Sequence, residues 1–373
     1  MPQSRLARAR FLMSGPRRAS RVAGRNRSLL CHTPLVRWSD GGVAAVNHGI
    51  LDPWLPNPRF VSVVDSDTLM PSVQNDCRKG PAWRGFLHQA ATLGTSRLFA
   101  SDHVYDEVYA RLHRFVGPDA PLDVLLAHFE TAYLPLLNFV TIPQNHPLTR
   151  HERVAAVTDL TDVPTAVLAM MVAPCAVFSN DHALRNAGFA PPEWRPVAGA
   201  NLDVAKGDEI LVGASAGVLL PSVGLGAIIK SVADHFEMSA WLLGLLVFGG
   251  GALCLSDAGR RHRFWNRVGP SFESTMQRLA TAVERRDSGL SALEQATFQP
   301  CGNATLEQFL ARQLATAKEP TLGTHLFRTI PEGLTAQRRD VFETLRGSPL
   351  FVQRSDDRWQ LGRQRLPLNR GRT

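Results

Sequence analysis

Cysteine is scarce in this chain. Cys31, Cys77, Cys175, Cys254 and Cys301 stand singly, their number is odd, and no two form a C-x-x-C pair. That argues against a disulfide framework and against a cysteine-held zinc, and it fits a reducing cytoplasm. No glycine-rich phosphate loop is present, so P-loop nucleotide chemistry has no sequence support. The twelve histidines form no H-x-x-x-H pair. No nucleophile elbow supports Ser-His-Asp catalysis. The first thirty residues lack any acid but carry Arg5, Arg8, Arg10, Arg17, Arg18, Arg21, Arg25 and Arg27. Their "RFLM" offers no apolar core for a signal peptide, so residues 1–58 read as a basic, disordered leader with a proline-rich end.

What is present bounds the rest. A chain of 373 residues predicts two or three folded units, and 44% hydrophobic residues suffice for real cores. The formal net charge of +8 favours a polyanionic partner, either nucleic acid or anionic lipid, although much of the excess sits in the leader.

From Phe60 the pattern alternates. Strands are expected at 60–65, at "SRLFASD" (96–102), at "CAVFSND" (175–181) and at "EWRPVA" (193–198). Helices are expected around 71–93, over 102–115, through 120–140 with a break at Pro135, over 151–160 and 162–172, and at 182–189. Strands alternating with helices predict an α/β fold with a mostly parallel sheet. Residues 210–229 and 238–256 are free of charge and each approach the ~20 residues that cross a bilayer. The basic "RRHRFWNR" follows the second. Two spans in tandem favour a membrane hairpin over 199–260 with cytoplasmic ends; the alternative is a buried glycine-rich hairpin. Residues 261–303 read as a linker. Residues 304–373 read as helices ending in a hairpin around "SDD", and resemble a winged-helix module. Such a module would fold alone and touch nucleic acid through Arg338, Arg339, Arg354 and Arg358. The competing view is that Phe351, Trp359 and Leu361 merely pack it onto its neighbour.

The chemistry lies with the acids. "FVSVVDSDTL" (60–69) starts as an apolar strand and ends on Asp65 and Asp67. Glu107 lies on the helix after the second strand, Asp162 opens the helix before the third, and Asp181 follows that strand. In a parallel sheet these strand ends share one edge, where ligand sites form. Carboxylates gathered there repel unless a hard divalent cation compensates them, and Mg²⁺ or Mn²⁺ suits oxygen ligands.

With these segments in view, "VVDSDTL", "ASDHVYDEVYARL", "DVPTAVLA" and "VFSNDHALRNAGF" together resemble a PIN-domain (PilT N-terminus) nuclease, similar to bacterial toxin ribonucleases. The likeness covers 59–198, a little over a third of the chain. It implies a three-layer fold and a metal-dependent endoribonuclease leaving 5′-phosphate and 3′-hydroxyl ends. It implies Asp65, Glu107, Asp162 and Asp181 as catalytic metal ligands, with Ser179 and Asp67 in support. Arg78, Lys79, Arg84 and Arg185 are candidates to hold the RNA backbone. Asp102 and Asp106 compete with Glu107, and Asp159 with Asp162; Asp102 and Asp159 are read as helix-terminal acids. His103 and His182 are read as rim residues. The segment 116–150 is longer than in compact toxins. An antitoxin or regulatory partner, a homodimer, and a place in the cytoplasm or on the cytoplasmic face of the inner membrane complete the expectation. The rival is a membrane-tethered nucleic-acid-binding or regulatory protein that does not cut.

Overall fold

A computed structural model describes residues 60–80, 82–210, 277–278, 280–299, 302, 304–331, 333–354 and 356–368. All of them fall in one compact unit, His48–Thr373. The arginine-rich leader, both apolar stretches and "RRHRFWNR" lie outside the described residues. Among the described residues, no helix is long and apolar enough to cross a membrane.

Four strands form a parallel sheet: β1 (Phe60–Val64), β2 (Ser96–Ser101), β3 (Leu137–Val140) and β4 (Ala176–Phe178), in the order β3-β2-β1-β4. Between them run α1 (Ser66–Lys79), α2 (Phe86–Thr92), α3 (Asp102–Arg111), α4 (Leu122–His128), α5 (Glu152–Ala155) and α6 (Val163–Val172). After β4 come α7 (His182–Asn186), then α8 over 194–210 and α9 over 280–296. Alternate residues of each strand enter opposite cores. Val61, Val63, Phe99 and Val177 join the core beneath α6, whereas Val64, Leu98, Ala100 and Phe178 join the one that holds α1, α3 and α4. The expected α/β class with a parallel sheet is therefore present.

Several elements differ from the sequence reading, each for a local reason. "LNFV" inside the expected helix 120–140 is strand β3; Pro135 ends the helical run and the chain turns into the sheet edge. The helix expected at 71–93 is two, α1 and α2, parted where Gly80 adopts φ 98°. "EWRPVA" opens helix α8 rather than a strand. Its buried positions Trp194, Val197, Ala198 and Asn201 recur at spacings of three and four, a period that six residues are too few to reveal. Part of the expected linker is helix α9. It packs against α8 so closely that a Cβ on Gly289 would lie 2.7 Å from the Ala200 carbonyl oxygen, and Arg286 Nε donates to Asp208 Oδ1 at 2.7 Å.

The C-terminal region comprises α10 (Leu306–Thr316), β5 (Thr321–Leu322), α11 (Gly323–Arg328), α12 (Arg338–Gly347), β6 (Phe351–Gln353) and β7 (Arg358–Leu361). Thr305 and Gln308 close a capping box on α10. The strands form an antiparallel sheet in the order β5-β7-β6, and the hairpin turns on Asp356 and Asp357, both at positive φ. Leu310, Leu314, Leu345, Phe351, Trp359 and Leu361 are buried in the same core as Val61, Val63 and α6. Burial of this kind is worth ~1.5–3 kcal/mol per large side chain, so it ties the region to the sheet domain. An isolated 291–373 fragment is expected to show no cooperative thermal melt by circular dichroism. A native-like melt of that fragment would restore the independent-module view.

Candidate metal centre

Parallel pairing brings the ends of β1, β2 and β4 to one edge, and the acids gather there. Asp65 leaves β1 and caps α1. It is 2% exposed, accepts from Ser66 N at 2.8 Å through Oδ1, and accepts from Ser179 Oγ at 2.9 Å through Oδ2. Ser179 also reaches Asp67 at 3.3 Å and accepts from Asp181 N at 2.9 Å. One hydroxyl thus ties the β1 acids to the β4 turn. Asn180 secures that turn by donating to Asp67 O at 3.2 Å and accepting from Trp194 Nε1 at 3.0 Å. Asp181 caps α7, accepting from Ala183 N.

Glu107 reaches the same edge from α3. Its Oε2 accepts from Ser66 Oγ at 2.6 Å and its Oε1 pairs with Arg111 one turn on. Asp162 stands at the N-cap position of α6 without a side-chain capping hydrogen bond and is 8% exposed. It faces Asp65 and Asp181, and its Oδ2 is buried without a hydrogen-bond partner. Burial is the first cause of the electrostatics here, followed by neighbouring negative charge. It pushes Asp162 up to about 8, Asp65 up to about 7 and Asp67 up to about 6. These three carboxyls have too little neighbouring positive charge to offset the cost of burial.

Among the described residues, one set of donor atoms is compact enough for a single ion. An oxygen of Asp65, an oxygen of Glu107 and a ring nitrogen of His103 lie within 4.8 Å of one another. His103 Nε2 is buried with no hydrogen-bond partner, and burial lowers the imidazole below its ordinary value. Two orphaned buried atoms, His103 Nε2 and Asp162 Oδ2, beside carboxyls forced towards neutrality, are what a divalent cation would correct. The group fits a metal ion. His103, read from sequence as a rim residue, is therefore a member of the cluster. The signal was available: His103, Glu107 and Arg111 are spaced i, i+4, i+8 and share one helical face.

The remaining candidates separate by geometry. Asp102 is engaged by Arg365 Nη2 at 2.7 Å and by the Thr141 hydroxyl, so it fastens the chain rather than offering a free ligand. Asp159 is exposed and accepts from Thr161 N at 2.9 Å, and Asp106 is exposed. Arg78 and Lys79 end α1, whose first residue adjoins Asp65. At 1.5 Å per residue they stand about 20 Å from it along the helix. Arg84 lies beyond them, its Nη1 donating to Trp83 O, and Lys79 Nζ sits 4.1 Å from the Trp83 ring centre. None of these three shares the acidic edge. Arg185 does, but it is occupied in the turn, donating to Asn180 O at 2.6 Å and Pro192 O at 3.1 Å.

Compared with profiles of known protein families, with curated proteins and with solved structures, the chain matches none.

Proposed function

We propose that this protein is a metal-dependent endoribonuclease of the PIN-domain type, acting as a toxin or RNA-processing factor. The observation that carries the reading is the cluster at the carboxyl edge of the sheet. There Asp65, Glu107 and His103 present donor atoms within 4.8 Å of one another while the Asp162 carboxylate stands buried beside them. The resemblance of the four quoted segments supports it, as does the parallel sheet that brings them together.

Asp65, Glu107 and His103 would hold a divalent cation, with Asp162 and Asp181 alongside. Such an ion supplies an acidified water and positive charge against the phosphate. Ser179 holds Asp65 and Asp67 in fixed relation, so the carboxylates are set before substrate arrives. Ser66 does the same for Glu107. Hydrolysis forms a P–O bond from water, breaks the bond to the ribose 3′-oxygen, and leaves 5′-phosphate and 3′-hydroxyl ends. The exposed Arg338, Arg339 and Arg354 of the winged-helix-like region offer phosphate contacts remote from the acids. A regulatory partner such as an antitoxin belongs to the same proposal.

The test is incubation of the purified full-length protein with mixed RNA in Mn²⁺ or Mg²⁺, with and without EDTA, beside Glu107→Gln. Internal cleavage that EDTA stops and Glu107→Gln reduces at least about a hundredfold is expected. RNA left intact by the wild type with either metal would overturn the nuclease reading and favour a binding protein that does not cut.

A further inference from the structure

We propose that His103 is a direct metal ligand, and that its imidazole makes the centre select a first-row transition ion, Mn²⁺ in preference to Mg²⁺. This deepens the metal-centre reading and rests on it, but does not require RNA to be the substrate.

The ring is held in a particular way. His103 Nδ1 lies 2.7 Å from Ser101 Oγ, and Ser101 Oγ lies 3.3 Å from Thr165 Oγ1. Ser101 and Thr165 are 1% and 0% exposed, so neither turns to solvent for another partner. In the arrangement proposed, Ser101 gives its one hydroxyl hydrogen to Thr165 and accepts from His103 Nδ1–H. That arrangement leaves a lone pair on Nε2 for the ion. A protein seldom buries a bare ring nitrogen without use for it, yet Nε2 is buried and unpartnered here. A nitrogen of this ring lies within 4.8 Å of the Asp65 and Glu107 oxygens, and the unpartnered Nε2 is the one assigned to the ion. A fixed tautomer with the far nitrogen hydrogen-bonded is the outer-shell arrangement usual for ligating histidines.

The donor set then discriminates. Mg²⁺ is hard and small, and binds through oxygen and retained water. An imidazole suits the transition ions, whose affinity for nitrogen rises along the first row. A site of carboxylates alone would not separate Mn²⁺ from Mg²⁺ on this ground.

The experiment compares full-length wild type with His103→Gln, which keeps a donor of similar reach but offers oxygen. Calorimetry with Mn²⁺ and Mg²⁺ gives the selectivity, and pulsed electron paramagnetic resonance of the Mn²⁺ complex reports a directly bound nitrogen. Wild type is expected to bind Mn²⁺ at least about tenfold more tightly than Mg²⁺ and to show nitrogen modulation. His103→Gln is expected to lose the modulation and about tenfold or more in Mn²⁺ affinity, with Mg²⁺ affinity changed little. A wild-type Mn²⁺ complex without nitrogen modulation, or equal selectivity in both proteins, overturns the proposal. If His103→Gln fails to fold, the wild-type spectrum alone decides. Binding of neither ion overturns the metal centre as a whole. Nitrogen modulation in a protein that leaves RNA intact keeps the proposal and removes only the nuclease reading.

Discussion

Asp65→Asn is expected to lower metal-dependent RNA cleavage about a thousandfold and, in EDTA, to raise the melting temperature at pH 8. Both effects come from one cause. Asp65 is 2% exposed and surrounded by Asp67 and Glu107, and burial with that negative charge raises it from 3.8 to about 7. Ionising it in the folded state therefore costs more than ionising it in the unfolded chain. Protons are bound more tightly by the folded form at this site, so the stability it contributes to the metal-free protein is fully present below about pH 4. That contribution is lost as the pH climbs through 7, and those of Asp67 and Asp162, raised to about 6 and 8, are lost across the same window. Asparagine is neutral and can still accept from Ser66 N, so it removes the penalty and keeps the cap. The gain at pH 8 should be about 1–3 kcal/mol, below the full ~4 kcal/mol equivalent of a three-unit shift because the acids titrate together. Scanning calorimetry of both proteins in EDTA between pH 5 and 8.5 checks this. A flat profile for wild type, or a variant that melts lower at pH 8, would contradict the account. Function gained against stability is the pattern expected of a preorganised charged site.

Gly362→Ala should be among the most destabilising single-methyl changes in the protein, lowering stability by about 2–4 kcal/mol. Gly362 ends the C-terminal hairpin at φ 65°, where a Cβ is disfavoured. An added Cβ would also stand 2.5 Å from the Phe139 carbonyl oxygen and 2.8 Å from Val140 Cγ2. The contact cannot relax cheaply, because Phe139 and Arg363 exchange two backbone hydrogen bonds of 2.8 Å at the exposed edge of β3. Beyond that bridge the chain runs over α3: Gln364 Nε2 donates to Pro135 O, Arg365 pairs with Asp102, and Tyr105 donates its hydroxyl to Leu366 O at 2.7 Å. The segment thereby clamps the helix that carries His103 and Glu107, so weaker divalent-metal binding should accompany the loss of stability. Gly188→Ala is the control. It has φ 75° but nothing within 4 Å of an added Cβ, and should cost only about 1 kcal/mol. If the two variants melt alike, the close approach of Gly362 to β3 carries no energetic weight.

The amino-acid sequence by itself determined the α/β alternation, three of the four parallel strands, and the position of Asp65, Asp162 and Asp181 at the ends of elements and of Glu107 on the helix after β2. These are legible because they depend on local chemistry: β-branched runs end on acids, and parallel strands share a polarity. It also held the i, i+4 spacing of His103 and Glu107, which pairs an imidazole with a carboxylate and so forms no histidine pair. Tertiary structure alone decided the rest. "LNFV" became a strand because β2 offered it an edge, and "EWRPVA" became helical because its apolar face met the core under β4. The C-terminal hairpin shares a core with the sheet domain because Leu310, Trp359 and Leu361 bury in the same cluster as Val61, Val63 and the residues of α6. The basic residues Arg78, Lys79 and Arg84 lie away from the acids because a fourteen-residue helix carries them there. Which carboxyls are buried, which are paired, and which nitrogen is left without a partner are set by contacts between residues far apart in the chain, and no local pattern encodes them.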